Sequence, residues 1–163
     1  MGKRLALALV LGSAFLLAAA GEILATQATP GAAATDPYSP GLGDFMTAYV
    51  QPHHVKLWLA GSTGNWKLAA YEADELGETF DDVTTYQRTW KNVPVAKLVK
   101  SLLVPALKKV DAAIASKNTA DFKGAYEGLT AACNACHVAA KHEFLEIQVP
   151  TGNPYPDQNF TTH

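Results

Sequence analysis

Both cysteines of this 163-residue chain lie within one pentapeptide, Cys133-Asn134-Ala135-Cys136-His137. Residues three apart share a helix face, so in a helix the two thiols point the same way. A thiol pair at this spacing, followed at once by histidine, matches the pattern of covalent haem attachment. The chemistry requires that arrangement. Two thiols add across the two vinyl groups of one porphyrin, and the neighbouring imidazole supplies the proximal ligand to iron. Other uses of a thiol pair fit less well. A thioredoxin-like couple expects a βαβ setting. A structural zinc site needs four ligands, and there is no second cysteine pair. A disulfide across one helical turn is geometrically awkward. The expected cofactor is therefore one haem c, held through Cys133 and Cys136, with His137 on the iron.

Positioning these groups falls to four helical stretches, and no convincing strand accompanies them. The first covers residues 44–60 and ends at Gly61. The second opens at Asn65, placed as an N-cap, and runs to residue 82. Its Trp66, Ala69, Ala73, Leu76 and Phe80 form one apolar stripe, while Glu72, Asp74, Glu75 and Glu78 read as a solvated face. The third, residues 95–116, carries Val99, Leu103, Ala106, Val110 and Ile114 on its stripe and should kink at Pro105. The fourth, residues 120–142, is capped by Asn118 or Thr119 and has the stripe Phe122, Ala125, Leu129, Ala132 and Cys136. Mostly short links make the expected fold all-α. It is an antiparallel four-helix bundle over residues 43–142, with haem near the C-terminal end of helix four. Residues 143–163 form an irregular extension, too apolar for a free tail and expected to pack back over the bundle or the haem edge.

In an up-down-up-down bundle, the end of helix four lies beside the start of helix one. The other face of the iron should find its ligand there, and Met46, His53 and His54 can each bind iron. Spacing groups Met46 and His53 with Val50, Leu57 and Ala60, whereas His54 goes with Leu57, Trp58 and Gly61. Pro52 removes a backbone donor and can shift the register, so these three and a vacant position all stay open. A histidine, with His54 first, is the leading expectation. His142 is expected to face solvent, and Trp58 and Trp66 to pack in the core.

The segment Met1-Gly-Lys-Arg precedes an apolar run over residues 5–20 and then small residues, Ala18, Ala19, Ala20, Ala25 and Ala28. That is the shape of a secretory leader, taken as residues 1–26. The run falls short of the ~20 apolar residues of a membrane span, and an uncleaved anchor is the alternative. Residues 27–42, rich in Ala, Pro, Gly and Thr, read as a linker. Export places the domain in the periplasm. The formal charge is -2 at pH 7, without a basic patch, so nucleic acid is not an expected partner.

A C-x-x-C-H motif near the end of the last helix of a four-helix bundle resembles the class II cytochromes c, which include the cytochromes c-prime and their low-spin relatives. The likeness covers residues 43–142. The strings from His54 to Gly61, from Asn65 to Glu72 and from Leu129 to His137 are also similar to those of small exported bacterial monohaem proteins. The resemblance implies thioether bonds at Cys133 and Cys136, ligation by His137, and attachment on the outer side of the cytoplasmic membrane. It implies Met46 as sixth ligand in a low-spin member, or a vacant face binding nitric oxide or carbon monoxide in a five-coordinate one. The pair His53-His54 and the long C-terminal segment depart from that family pattern. The expected function is monohaem electron transfer with a redox partner protein. One alternative is a gas-binding haem protein. A second is a haem-bearing accessory subunit of a membrane-bound complex, with membrane contact only if the leader is kept. Exposed bundle faces allow a homodimer. No nucleophile and base pair accompanies the motif, so enzymatic turnover is not expected.

Overall fold

The computed structural model describes residues 38–161. The leader, most of the linker and the terminal His163 lie outside the described residues. Helix α1 is continuous through Leu42–Asp44, a π-helical Phe45–Val50 and Gln51–Ser62. Helix α2 is Trp66–Tyr86. Helix α3 runs through Val95–Leu98, a π-helical Val99–Leu103 and Val104–Ser116. Helix α4 is Thr119–Ala139. Among the described residues the only β-type pairing is an isolated bridge between Trp90 and Val93, so the domain is all-helical, as expected.

Caps behave as the sequence suggests. The Asn65 side chain accepts from the Leu68 amide, and Asn118 accepts from Ala120 and Asp121, satisfying amides that lack helical partners. The two π-helical stretches share a cause. Each runs to within two residues of a proline, Pro52 or Pro105, and each ends on an amide bonded five residues back, Gln51 to Met46 and Val104 to Val99. Proline has no N–H, and its ring crowds the carbonyl four residues before it. A widened turn relieves that crowding and lets the helix continue. At Pro105, where a kink is expected, the structure shows this π-helical turn.

The widened turn also resets which face of α1 is buried. Phe45 and Val50, five residues apart, are both buried, and the buried face continues as His54, Leu57, Ala60 and Gly61. Spacing without a wide turn puts His53 on that face; the structure puts His54 there and leaves His53 half-buried. On α2 the stripe Ala69, Ala73, Leu76 and Phe80 is buried, joined by Val83. Glu72 does not belong to the solvated face expected for it, being only 1% exposed. On α4 the buried set is Phe122, Tyr126, Leu129, Thr130 and Cys133. A reading by apolar type passes over Tyr126 and Thr130, whose hydroxyls find partners inside.

Helices α1 and α4 meet through Gly61 against Phe122, Trp58 with its ring centroid 5.0 Å from that of Tyr126, and His54 against Tyr126 and Thr130. A Cβ on Gly61 would overlap the Phe122 ring, so only glycine allows this approach. The C-terminal extension packs back on the bundle. Phe160 is buried, and Ile147, Val149 and Tyr155 lie against the core. Thr63 Oγ1 donates to the Phe160 carbonyl at 2.8 Å, and Asn65 Nδ2 to that of Thr161 at 3.1 Å. Among the described residues no helix is long and apolar enough to cross a membrane.

Candidate functional site

Cys133, Cys136 and His137 occupy the last two turns of α4. Both thiols are free; Cys133 is buried and Cys136 half-buried. Burial, and then the neighbouring Cys136, push the Cys133 thiol up to about 12. Burial raises Cys136 as well.

The helix then stops abruptly. Lys141 takes a left-handed φ of 59°, its amide bonds to Val138 O at 3.0 Å, and the His142 amide bonds to His137 O at 2.8 Å. This is a Schellman ending, built here on lysine where glycine is usual. The chain reverses, the Leu145 amide bonds to His142 O at 2.9 Å, and the Leu145 carbonyl arrives 2.6 Å from His137 Nδ1. A carbonyl can only accept, so Nδ1 carries a proton, and in the neutral imidazole Nε2 then keeps its lone pair. That is the tautomer of a metal-binding imidazole whose other N–H is held by a second partner. Exposed Val138, Phe144 and Leu145 give the same end of the molecule an apolar surface. Two free thiols one turn apart, an imidazole with Nε2 available and an apolar surround together fit a covalently held haem. Among the described residues, no three His, Cys, Asp or Glu converge as a metal site made of protein alone.

The three α1 candidates are placed very differently. His54 is buried, with both ring nitrogens engaged. Thr130 Oγ1 gives its own proton to Tyr126 O at 3.0 Å, so it accepts from His54 Nε2–H at 3.1 Å. The Tyr126 hydroxyl then lies 2.9 Å from His54 Nδ1 and 2.8 Å from His54 O, and donates toward both. His53 instead turns to α2, with Nδ1 2.8 Å from the buried Glu72 carboxylate. A carboxylate only accepts, so Nδ1 donates and Nε2 is left as the free nitrogen. Met46 is half-buried in the π-helical turn and packs against the core. Thus Cys133, Cys136 and His137 come together, whereas His53 and His54 face different neighbours.

Burial alone lowers His54 to about 4 from 6.5. Above pH 6.5 it is neutral both folded and unfolded. Between 6.5 and about 4 the unfolded chain takes up a proton that the folded one refuses, so stability falls as the pH falls. The full effect is about 3 kcal/mol, reached near the folded value. Urea unfolding at about pH 7 and about pH 4.5 should show this loss, and His54→Gln should lack that part of the slope.

His142 does not face solvent as expected. It is half-buried, with its ring centroid 4.7 Å from that of Trp90. Trp58 and Trp66 pack on the core, as expected, around Phe122. A separate groove between α2 and α3, floored by Ala73, Gly77 and Leu107, includes none of the six candidate residues.

The chain matches no protein-family model, no curated protein and no solved structure. The reading of the site therefore rests on its own geometry. Two participants escape sequence reasoning. Asn134 bonds to the Ile147 backbone, and Leu145 supplies the carbonyl on His137. Both depend on a chain reversal whose usual glycine signal is absent.

Proposed function

We propose that this protein is an exported monohaem c-type cytochrome that transfers single electrons, on an antiparallel four-helix bundle. The observation that carries the reading is His137. Its Nδ1 proton is held by a backbone carbonyl and its Nε2 is left free, beside two free thiols at attachment spacing. Cys133 and Cys136 would hold the porphyrin edge and His137 the iron. The group, when bound, would supply one-electron exchange between ferric and ferrous iron. The protein's part is to hold His137 in one tautomer, surround it with apolar side chains and offer a ligand from α1.

For that ligand we favour Met46 over the histidine expected from sequence, because both histidines are already engaged. Residue numbers along the α1–α4 seam run in opposite senses, Gly61 with Phe122 and His54 with Tyr126 and Thr130. Continued at that register, the seam would lead on α1 toward the π-helical turn that holds Met46 and on α4 toward His137. His54 could reach iron only by giving up both of its buried hydrogen bonds, and His53 by leaving Glu72. Methionine ligation raises the reduction potential relative to bis-histidine.

Absorption spectra of ferric and ferrous protein, with and without carbon monoxide, test the reading. A low-spin ferrous spectrum unmoved by carbon monoxide is expected, and it should be lost in Met46→Ala but kept in His53→Ala. A spectrum that carbon monoxide shifts readily would replace the electron carrier with a gas-binding protein.

A further inference from the structure

The pentapeptide has one side chain that haem attachment does not require, Asn134. It is tied to the C-terminal extension in both directions: Nδ2 donates to Ile147 O at 2.8 Å, and the Ile147 amide donates to Oδ1 at 2.8 Å. An asparagine amide pairing with both polar groups of one backbone residue fixes that residue in position and in rotation. Two residues earlier, Leu145 presents its carbonyl to His137 Nδ1 at 2.6 Å. Leu145 is about half exposed, at 48%, so its own packing holds that carbonyl only in part. The holding is done on either side, by the turn at His142 and by the Asn134 clamp at Ile147. Farther along, the strap is anchored again where Thr63 and Asn65 bond to Phe160 and Thr161.

We propose that Asn134 is a positioning residue for the haem iron: by clamping Ile147 it holds the Leu145 carbonyl on His137 and thereby lowers the reduction potential. The inference rests on the haem reading above. A carbonyl drawing on the Nδ1 proton makes Nε2 a stronger donor. Stronger donation stabilises ferric iron more than ferrous. With the clamp gone, residues 145–147 loosen and water takes the place of a fixed carbonyl.

The experiment uses the full haem-loaded chain as wild type, Asn134→Ala, Ile147→Pro and the double variant. Intact mass after denaturation reports covalent haem and tests the haem reading by itself; a wild type without it overturns that reading and this proposal together. Amide exchange at Ile147 reports the clamp whether or not haem is bound. Redox titration reports the potential, and exchange of the His137 Nδ1 proton in the ferrous protein reports the contact. In Asn134→Ala, haem content should match wild type, while both protons exchange faster. The ferric-to-ferrous ratio at a fixed ambient potential should fall by up to tenfold, an upward shift of as much as about 59 mV. Ile147→Pro removes only one of the two clamp bonds and should shift the potential in the same direction. The double variant should shift it no further than the larger single effect. Faster Ile147 exchange with an unmoved potential and an unmoved His137 proton would reduce Asn134 to a purely structural role, and additive shifts would overturn the shared path.

Discussion

Replacing Cys133 and Cys136 together by alanine should leave a folded helical chain that carries no haem through denaturation. Each thiol can form one thioether, so single variants should keep a covalent porphyrin through the other bond, at reduced yield. The double variant has no covalent hold. The structural cost of the change is small by comparison. Cys133 is buried, and losing its sulfur atom costs roughly 1 kcal/mol in transfer and cavity terms. Cys136 is half-buried and costs less. Far-UV circular dichroism should therefore match that of the unmodified chain, while intact mass after denaturation shows no added porphyrin. His137→Ala separates the two roles, because it should keep the covalent porphyrin and lose the low-spin spectrum. The burial of Cys133 adds a kinetic expectation. A thiol pushed up to about 12 inside a packed helix is a poor nucleophile. Haem should add faster to the unfolded chain than to the folded apoprotein. A wild-type chain that never carries covalent porphyrin in cells that load other c-type haem proteins would end the haem reading.

How much of this could be read without coordinates depended on how local each feature is. The pentapeptide, the four helices and the caps at Asn65 and Asn118 are local, and the helices begin within a few residues of where their sequences place them. The choice between His53 and His54 was not legible. It turns on one extra residue in the turn before Pro52, which moves the buried face by one position, and a periodicity count has no means of registering that. Glu72 failed for a different reason. Acidic residues nearby in sequence look like one solvated face, yet its carboxylate is buried because His53 comes to it from another helix. The backbone partner of His137 was hidden because Lys141 adopts a conformation usually left to glycine, and nothing local announced the turn that returns Leu145 and Ile147 to α4.

Gly61→Ala sets two known effects against each other, and their sizes decide the sign. By helix propensity alone, alanine for glycine inside α1 should stabilise the protein by about 0.5–1 kcal/mol. The added Cβ, however, would fall on the far edge of the Phe122 ring, overlapping Cζ and both Cε atoms. That ring has no free direction to move. It is fully buried, with Trp66 and Tyr126 each 6.0 Å away between ring centroids and Trp58 at 6.4 Å. The strain must be taken by the α1 and α4 backbones moving apart, and overpacking of this kind costs about 1–3 kcal/mol or more. Sterics should win, with a net loss of about 2 kcal/mol or more in urea unfolding. Phe122→Leu alone should also destabilise, by leaving a cavity. In the Gly61→Ala background the same change removes the obstructing ring edge, so the double variant should be more stable than the two losses summed. Strict additivity, or a stabilised Gly61→Ala, would mean that the helices do not meet this closely. The seam they form is the one along which His54 meets Tyr126, so loosening it should also disturb the ligand that α1 is proposed to offer the iron. In haem-loaded Gly61→Ala, carbon monoxide should then gain access that the proposed six-coordinate iron would deny it.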